Sequence, residues 1–443
     1  MSSSTKSRWG AWLERLALDR PETRAWALYD WANSAFWLTV VTAVFPVYYK
    51  TLSEGLDDAT AAYRYTLATT IALACTAVAT PLLGAFADSR AKRKLLLGLF
   101  AGLGIAATAA MFFLLPGDWL PGLVLFAVAN FGVAGSVVFY DALLPHVARP
   151  GELDRLSTTG FALGYLGSGL LLLLNLAWIL KPAAFGLPSG TGLEPAEATL
   201  PTRLAFLSVA LWWGLFTIPI LRSVREPRAT SAPPGGALIS SLRQLARTLR
   251  EVRRHRNAFR MLVAFLVFND GISTIIRMAG LYATDRDFGA GTIIGTILIL
   301  QFIGIPFAIL FGHLGSRIGA KPMIFVGLGF YCMICVLAYA MSTAWHFVGI
   351  GILVGMVQGG TQGLSRSLFA SMVPSKKSGE FFALFGVGEK FAGIAGPALF
   401  ALTIHWTGGM QPAVLSLIAF FVLGGALLLT VDVEEGRREA RNA

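Results

Sequence analysis

This sequence is short of charge. Only 14% of its 443 residues are Asp, Glu, Lys or Arg, while 55% are hydrophobic; an ordinary soluble domain carries about 25% charged residues. A single soluble core is thereby excluded. Cysteine is scarce too. Cys75, Cys332 and Cys335 all fall inside apolar runs, so there is no disulfide framework. Cys332-x-x-Cys335 sits mid-run among Tyr, Met, Ile and Val and reads as packing, because redox pairs need an exposed helix N-terminus. The five histidines (146, 255, 313, 346 and 405) are scattered toward run ends or loops, with no His-Glu-x-x-His. No metal site and no intramembrane enzyme is read from them. The phosphate-cradling Gly-x-x-x-x-Gly-Lys-Ser/Thr is also missing. No cofactor is expected, and any work must draw on a gradient. Finally, Met1–Arg24 is polar and lacks the apolar core of a cleavable signal.

What the chain has in quantity is long uncharged runs. Twelve are of membrane length, at about 26–49, 65–87, 95–115, 119–140, 158–180, 203–222, 258–282, 290–312, 322–341, 346–368, 382–405 and 411–430. The expected class is an all-α membrane protein of twelve transmembrane helices. The net charge of +11 follows the connections between runs: 29 basic residues lie on the side that holds both ends, against 5 on the other. Basic residues are retained in the cytoplasm, so both termini are expected inside and the host is expected to be a plasma (inner) membrane. The basic excess suits anionic inner-leaflet lipid and not nucleic acid.

Gly84–Lys94 and Gly312–Lys321 are worn copies 228 residues apart, each lying between apolar runs and rich in cations. Asn130 and Gln358 share that offset, as do Glu152 and Glu380; Asp30 and Asp270 are 240 apart. A repeat of this kind is the mark of a carrier built from two related halves. The expected layout is a cytoplasmic amphipathic segment (1–24), a six-helix half (25–225), a cytoplasmic linker (226–257), a second six-helix half (258–430) and a tail (431–443). In the linker Ile239, Leu242, Leu245, Leu249 and Val252 recur at helical spacing with Arg243, Arg247, Arg250, Arg253 and Arg254 on the other face. That pattern suits a helix lying on the inner leaflet. Trp9, Trp12, Leu13 and Leu16 repeat the idea at the N-terminus.

In the first copy Gly84 permits a tight turn, and Asp88 can pair with Arg93 as a charge latch. This loop resembles the signature of the major facilitator superfamily, Gly-x-x-x-Asp-Arg-x-Gly-Arg-Arg/Lys. It keeps Gly84, Asp88, Lys92 and Arg93 but has Ser89 for Arg and Ala91 for Gly. The second copy keeps Arg317 and Gly319 but has Ser316 for Asp. A narrower resemblance, to the vacuole-effluxer branch that includes the fungal autophagy-associated amino-acid exporter and bacterial relatives, rests on three stretches. They are Ala27-Leu-Tyr-Asp30-Trp31-Ala-Asn33-Ser34-Ala-Phe36, Phe268-Asn269-Asp270-Gly271, and Gly359-Gly-Thr-Gln362-Gly-Leu-Ser365-Arg366-Ser-Leu-Phe369. It implies solute export, with amino acids as the best-supported class.

Ionisable groups inside a span cost about 2.5–3.5 kcal/mol each on insertion scales, so each calls for a reason. Asp270, Ser273, Thr274 and Arg277 share one helical face, as do Asp30, Asn33, Ser34 and Trp37. Two acidic faces on one cavity could carry a proton or bind an ammonium, and Arg277 could take a carboxylate. An Asp270–Arg277 salt bridge that only holds the helix is the competing reading, and gating competes with coupling at Asp30. Asn130, Gln358, Thr361 and Gln362 add hydrogen-bonding groups. The expected solute and proton pathway is therefore Asp30, Asn33, Ser34, Trp37, Asn130, Asp270, Ser273, Thr274, Arg277, Gln358, Thr361 and Gln362. Gating falls to Gly84, Asp88, Lys92, Arg93, Arg317, Arg366, Glu389 and Lys390. The expectation is a monomeric secondary carrier of a small polar solute, most simply an amino acid, coupled to H+. A sugar, drug or lipid carrier, or a receptor or scaffold that has lost transport, remains the alternative.

Overall fold

The computed structural model of the protein describes residues 8–57, 60–61, 64–65, 68, 71, 75, 79, 91–149, 151–226, 255–286 and 288–442. Among these, every regular element is helical, and ten helices are long and apolar enough to cross a membrane. Most of the expected second span, Gly84, Asp88 and nearly all of the linker lie outside the described residues.

After a short α1 (Arg8–Arg15), the first span runs in three pieces: α2 (Pro21–Ala35), a π-helical stretch (Phe36–Val44) and α3 (Phe45–Leu52). Pro21 opens it where a missing N–H costs nothing. Pro46 explains the wide turns, since it offers no N–H to the carbonyl of Thr42 and its ring crowds that carbonyl. The Phe45 N–H donates instead to the Val40 carbonyl, five residues back. The Thr42 hydroxyl donates to the Trp37 carbonyl at 2.9 Å.

The chain continues through α4 (Arg93–Ala110), α5 (Trp119–Val147), α6 (Leu153–Leu180) and α7 (Leu200–Ser223). The second half holds α8 (Arg256–Asp285), α9 (Ala290–Ile318), α10 (Ala320–Tyr339), α11 (Ala344–Ser371), α12 (Ser378–Thr407), then α13 (Met410–Ser416) with α14 (Ile418–Leu429), and a closing α15 (Val433–Arg441). Several helices outrun their apolar cores. α5 extends to Val147 and not to about 140, α6 begins at Leu153 and not at 158, and α9 ends at Ile318 and not at 312. Hydropathy stops at the first charges, whereas the backbone ladder continues beyond them.

Within the first part α2 packs on α6 and α7, and α4 on α5 and α7; within the second α8 packs on α12 and α14, and α11 on α9 and α10. Contacts between the parts run from α6 to α9 and α11, and from α5 to α12. Both chain ends lie at the same end of the bundle, here the terminal end. Arg155 at the start of α6 donates to the Glu14 carbonyl in α1, while Asn257 of α8 binds Glu435 of α15 at 2.9 Å.

At this end the two loop copies diverge. Gly319 has φ +101, and Ala91, at the matching place, has φ +50. Both are left-handed, a region that suits glycine and strains alanine. Beyond the first copy, the Glu226 carboxylate accepts from the backbone N–H groups of Arg93 (2.8 Å) and Lys94 (2.9 Å), capping α4 from the far end of α7. In the second copy the polarity is reversed. Lys321 Nζ donates to the carbonyls of Leu429 (3.1 Å) and Val431 (2.8 Å) at the end of α14. Replacing the strained alanine, Ala91→Gly, should raise stability by about 1 kcal/mol, and Ala91→Val should lower it. Thermal unfolding in detergent, followed by tryptophan fluorescence, checks the order; a glycine variant that melts below the native chain would contradict it.

Candidate functional site: a buried charge clamp between the halves

Arg366 lies in the last third of α11, 5% exposed. A guanidinium cannot sit there without partners, and all of its charged partners come from the first part of the chain. Nη2 is 3.2 Å from Asp30 Oδ2 on α2, and Nη1 is 3.1 Å from Asp141 Oδ1 on α5. Nε donates to the Ser157 hydroxyl and Nη2 to the Ser157 carbonyl on α6, each at 2.8 Å. Aromatic faces enclose the cation, with Phe161 at 4.6 Å, Trp26 at 5.0 Å and Tyr140 at 5.5 Å. The Tyr140 hydroxyl donates to Asp30 Oδ2 at 2.7 Å, and the Trp26 indole N–H donates to the Tyr140 carbonyl at 3.0 Å. Gly160 makes the site possible, since a Cβ there would strike Asp30 Oδ2. The GxxxG pair at 160 and 164 thus seats α6 against α2.

Further bonds between the parts surround this clamp. Ser157 donates to the Gly363 carbonyl at 2.8 Å, and Ser367 donates to Asp154. Ser378 at the start of α12 donates to the Ala142 carbonyl (2.8 Å) and lies 3.1 Å from His146 Nε2. Arg93, fully buried, donates to the Lys376 carbonyl at 3.1 Å. All of these lie toward the terminal end.

The other expected residues are distributed as follows. Asn33 donates to the Tyr29 carbonyl of its own helix at 2.6 Å, and Asn130 likewise to Phe126 at 2.8 Å. Ser34 faces Gly164. Trp37 falls within the π turns, which rotate it off the stripe expected from a continuous α-helix. Asp270, 2% exposed, accepts from the Gly396 N–H on α12 at 2.9 Å, and its other oxygen is buried without a hydrogen-bond partner. Thr274 donates to the Asp270 carbonyl at 2.7 Å. Ser273 is half-buried, and Arg277 is exposed two turns along the same helix. Gln362 donates to Asn269 at 3.1 Å, joining α11 to α8. Thr361 is fully buried against Gly327, and Gln358 is half-buried. Lys92 and Arg317 are exposed. Glu389 and Lys390 belong to α12, with side chains outside the described residues. Among the described residues no group of three His, Cys, Asp or Glu is placed to hold a metal ion.

Sequence reasoning missed Asp141, Tyr140 and Ser157. The expected fourth span ended at 140, short of Pro145, which left Asp141 in a loop; α5 in fact carries Pro145 in its last turn. The available signal was a carboxylate directly beside an aromatic residue at the end of an apolar run.

A helical bundle of this topology, with buried charge joining its two parts, defines an integral multi-pass membrane transporter of the major facilitator class. The fold matches that of the proton:xylose symporter XylE bound to 6-bromo-6-deoxy-D-glucose (TM-score 0.67, 15% identity, 96% of each chain covered). Residues 55–441 match the family described as "Vacuole effluxer Atg22 like", and the chain belongs to that family. It is similar to the uncharacterized MFS-type transporter YxiO of Bacillus subtilis (37% identical over 417 residues, 93% of this chain and 95% of the relative). It is also similar to autophagy-related protein 22-1 of Phaeosphaeria nodorum (26% identical, 80% of this chain and 73% of the relative).

Arg366→Ala would leave two carboxylates buried without their cation, a loss of about 3–5 kcal/mol to the closed terminal end. Ser378→Cys, in a background with Cys75, Cys332 and Cys335 replaced by serine, reports on it because Ser378 is fully buried between α12 and α5. Its labelling by a water-soluble maleimide should quicken at least tenfold in Arg366→Ala. Unchanged labelling would mean that the clamp does not hold that end shut.

Proposed function

We propose that this protein is a secondary carrier that exports a small polar solute, most simply an amino acid, by alternating access coupled to protons. The observation that carries the reading is the Arg366 clamp: one cation from the second half held by Asp30 and Asp141 of the first. Charges paired across an interface between rocking halves can be exchanged for water when the halves part, which makes such a contact reversible. With the basic loops on the cytoplasmic side, the terminal end is the cytoplasmic end, and the arrangement described here is closed to the cytoplasm. Export is supported by the effluxer family. The amino-acid class is supported by the resemblance to the autophagy-associated exporter.

Proton coupling is assigned to Asp270, which is buried in α8 with one oxygen free of hydrogen bonds. The decisive experiment loads proteoliposomes with a mixture of amino acids and sugars and reads release by mass spectrometry, with and without a pH gradient. Amino acids should leave faster under inward proton flow; release of sugars alone would overturn the amino-acid class. In the same assay Asp270→Asn should lower gradient-driven movement at least tenfold while exchange at equal pH is partly retained. Equal loss of both would remove the coupling role.

A further inference from the structure

Tyr165 lies in the middle of α6 and projects its ring out of the first half into the second. Two glycines there make room for it. A Cβ on Gly304 of α9 would stand 2.8 Å from the ring edge, and one on Gly359 of α11 would meet the ring and, at 3.0 Å, the phenol oxygen. The ring therefore occupies a flat slot with bare backbone on two sides. At its inner end the chemistry changes. The Tyr165 hydroxyl is buried without a hydrogen-bond partner, and so are Gln358 Oε1, Thr361 Oγ1 and the hydroxyl of Tyr331. Gln358 and Thr361 flank Gly359 on α11. Thr361 packs on Gly327 of α10, one turn from Tyr331, and Tyr331 is close enough to Tyr165 to interact with it electrostatically. Tyr165 is 8% exposed and Tyr331 and Thr361 are fully buried, so these groups have lost water and gained little in return.

We infer that this slot is a ring-binding subsite of the solute pathway, occupied by the protein's own Tyr165 in the present arrangement. The inference rests on the carrier reading. The slot's walls belong to one half and its occupant to the other, so any rocking of the halves withdraws the ring and opens a space of its shape. That space is walled by glycine backbone and ends in amide and hydroxyl groups. It fits a flat ring whose far edge can hydrogen-bond. For an amino-acid carrier the class is an aromatic amino acid, with tyrosine the closest match to the side chain now in place. Tyr165 is then a positioning residue that competes with solute, and its departure couples filling of the slot to opening of the terminal end.

The test measures displacement of labelled L-tyrosine from the purified full chain by unlabelled L-tyrosine, L-alanine and D-glucose. Tyrosine should compete about tenfold more strongly than alanine, a difference of about 1.4 kcal/mol. Tyr165→Ala removes the internal competitor, so tyrosine should bind about tenfold tighter while alanine is unchanged. A residue that merely packs would give a less stable protein with no gain in affinity. Should that variant fail to fold, Gly359→Ala and Gly304→Ala place a methyl in the slot and should erase the preference for tyrosine over alanine. Equal competition by alanine and tyrosine in the native chain, or no gain in Tyr165→Ala, overturns the subsite and leaves the amino-acid carrier standing. Saturable binding of glucose with none of either amino acid overturns both.

Discussion

A guanidinium inside a helical bundle dictates much of what surrounds it. Arg366 cannot be deprotonated and cannot be left bare, so the closed terminal end needs carboxylates within reach. Asp30 and Asp141 supply them from two helices of the other half, and Ser157 satisfies the remaining donors. The rest of the site follows from that demand. Gly160 has no side chain because Asp30 needs the space; Trp26 and Tyr140 stack at 4.3 Å and wall the cation from lipid; the Tyr140 hydroxyl completes Asp30. Dry, the pair is strong. Once water enters, each charge regains its hydration and little is lost, which is the energetic profile of a contact meant to break.

The two loop copies show what a duplicated element keeps and what it gives up. Both turn through a left-handed residue at the same place, yet only Gly319 does so without strain; Ala91 adopts the same region of backbone space at a cost. Both also tie the end of one helix to the start of another within their own half, but through opposite chemistry. Glu226 caps two backbone donors of α4, whereas Lys321 caps two carbonyls of α14. The tie is the common requirement, and the sign of the charge that makes it is free to vary. Arg93 goes further and reaches the Lys376 carbonyl in the other half, so the first copy joins the closure that surrounds the clamp.

Much of the fold was legible in the sequence because membrane insertion writes itself as uncharged length. The ten described spans fall where the apolar runs lie, and the errors sit at helix ends, where backbone hydrogen bonding outlasts hydropathy. Asp30 and Arg366 stood out for the cost of burying them. Their pairing did not, since 336 residues separate them and no local period links them. The stripe of Asp30, Asn33, Ser34 and Trp37 assumed a uniform helix, and Pro46, nine residues past Trp37, undoes that assumption by forcing the π turns upstream of it. Asn33 and Asn130 looked like solute ligands but bond their own helix four residues back, an option open to any short amide inside a span. Tyr165 carried no signal at all: its meaning depends on two glycines in other helices, 139 and 194 residues away along the chain.

The repeat also explains why there is one such clamp among the described residues and not two. In each half an aspartate of the first helix lies against a glycine of the fifth: Asp30 against Gly160, and Asp270 against Gly396. The acid and the space made for it are therefore duplicated features. The cation is not. The position 228 residues before Arg366 holds Val138, which is buried and packs against Gly386 of α12. Asp270, with no arginine facing it from that position, turns to the backbone N–H of Gly396, just before Pro397, whose ring withholds a donor from the next turn of α12. Two residues that match in sequence have thus acquired different partners. Asp30 is neutralised by charge from across the interface and fixes how the halves meet. Asp270 stays within its own half, where its carboxylate answers to the geometry of a single proline-broken helix.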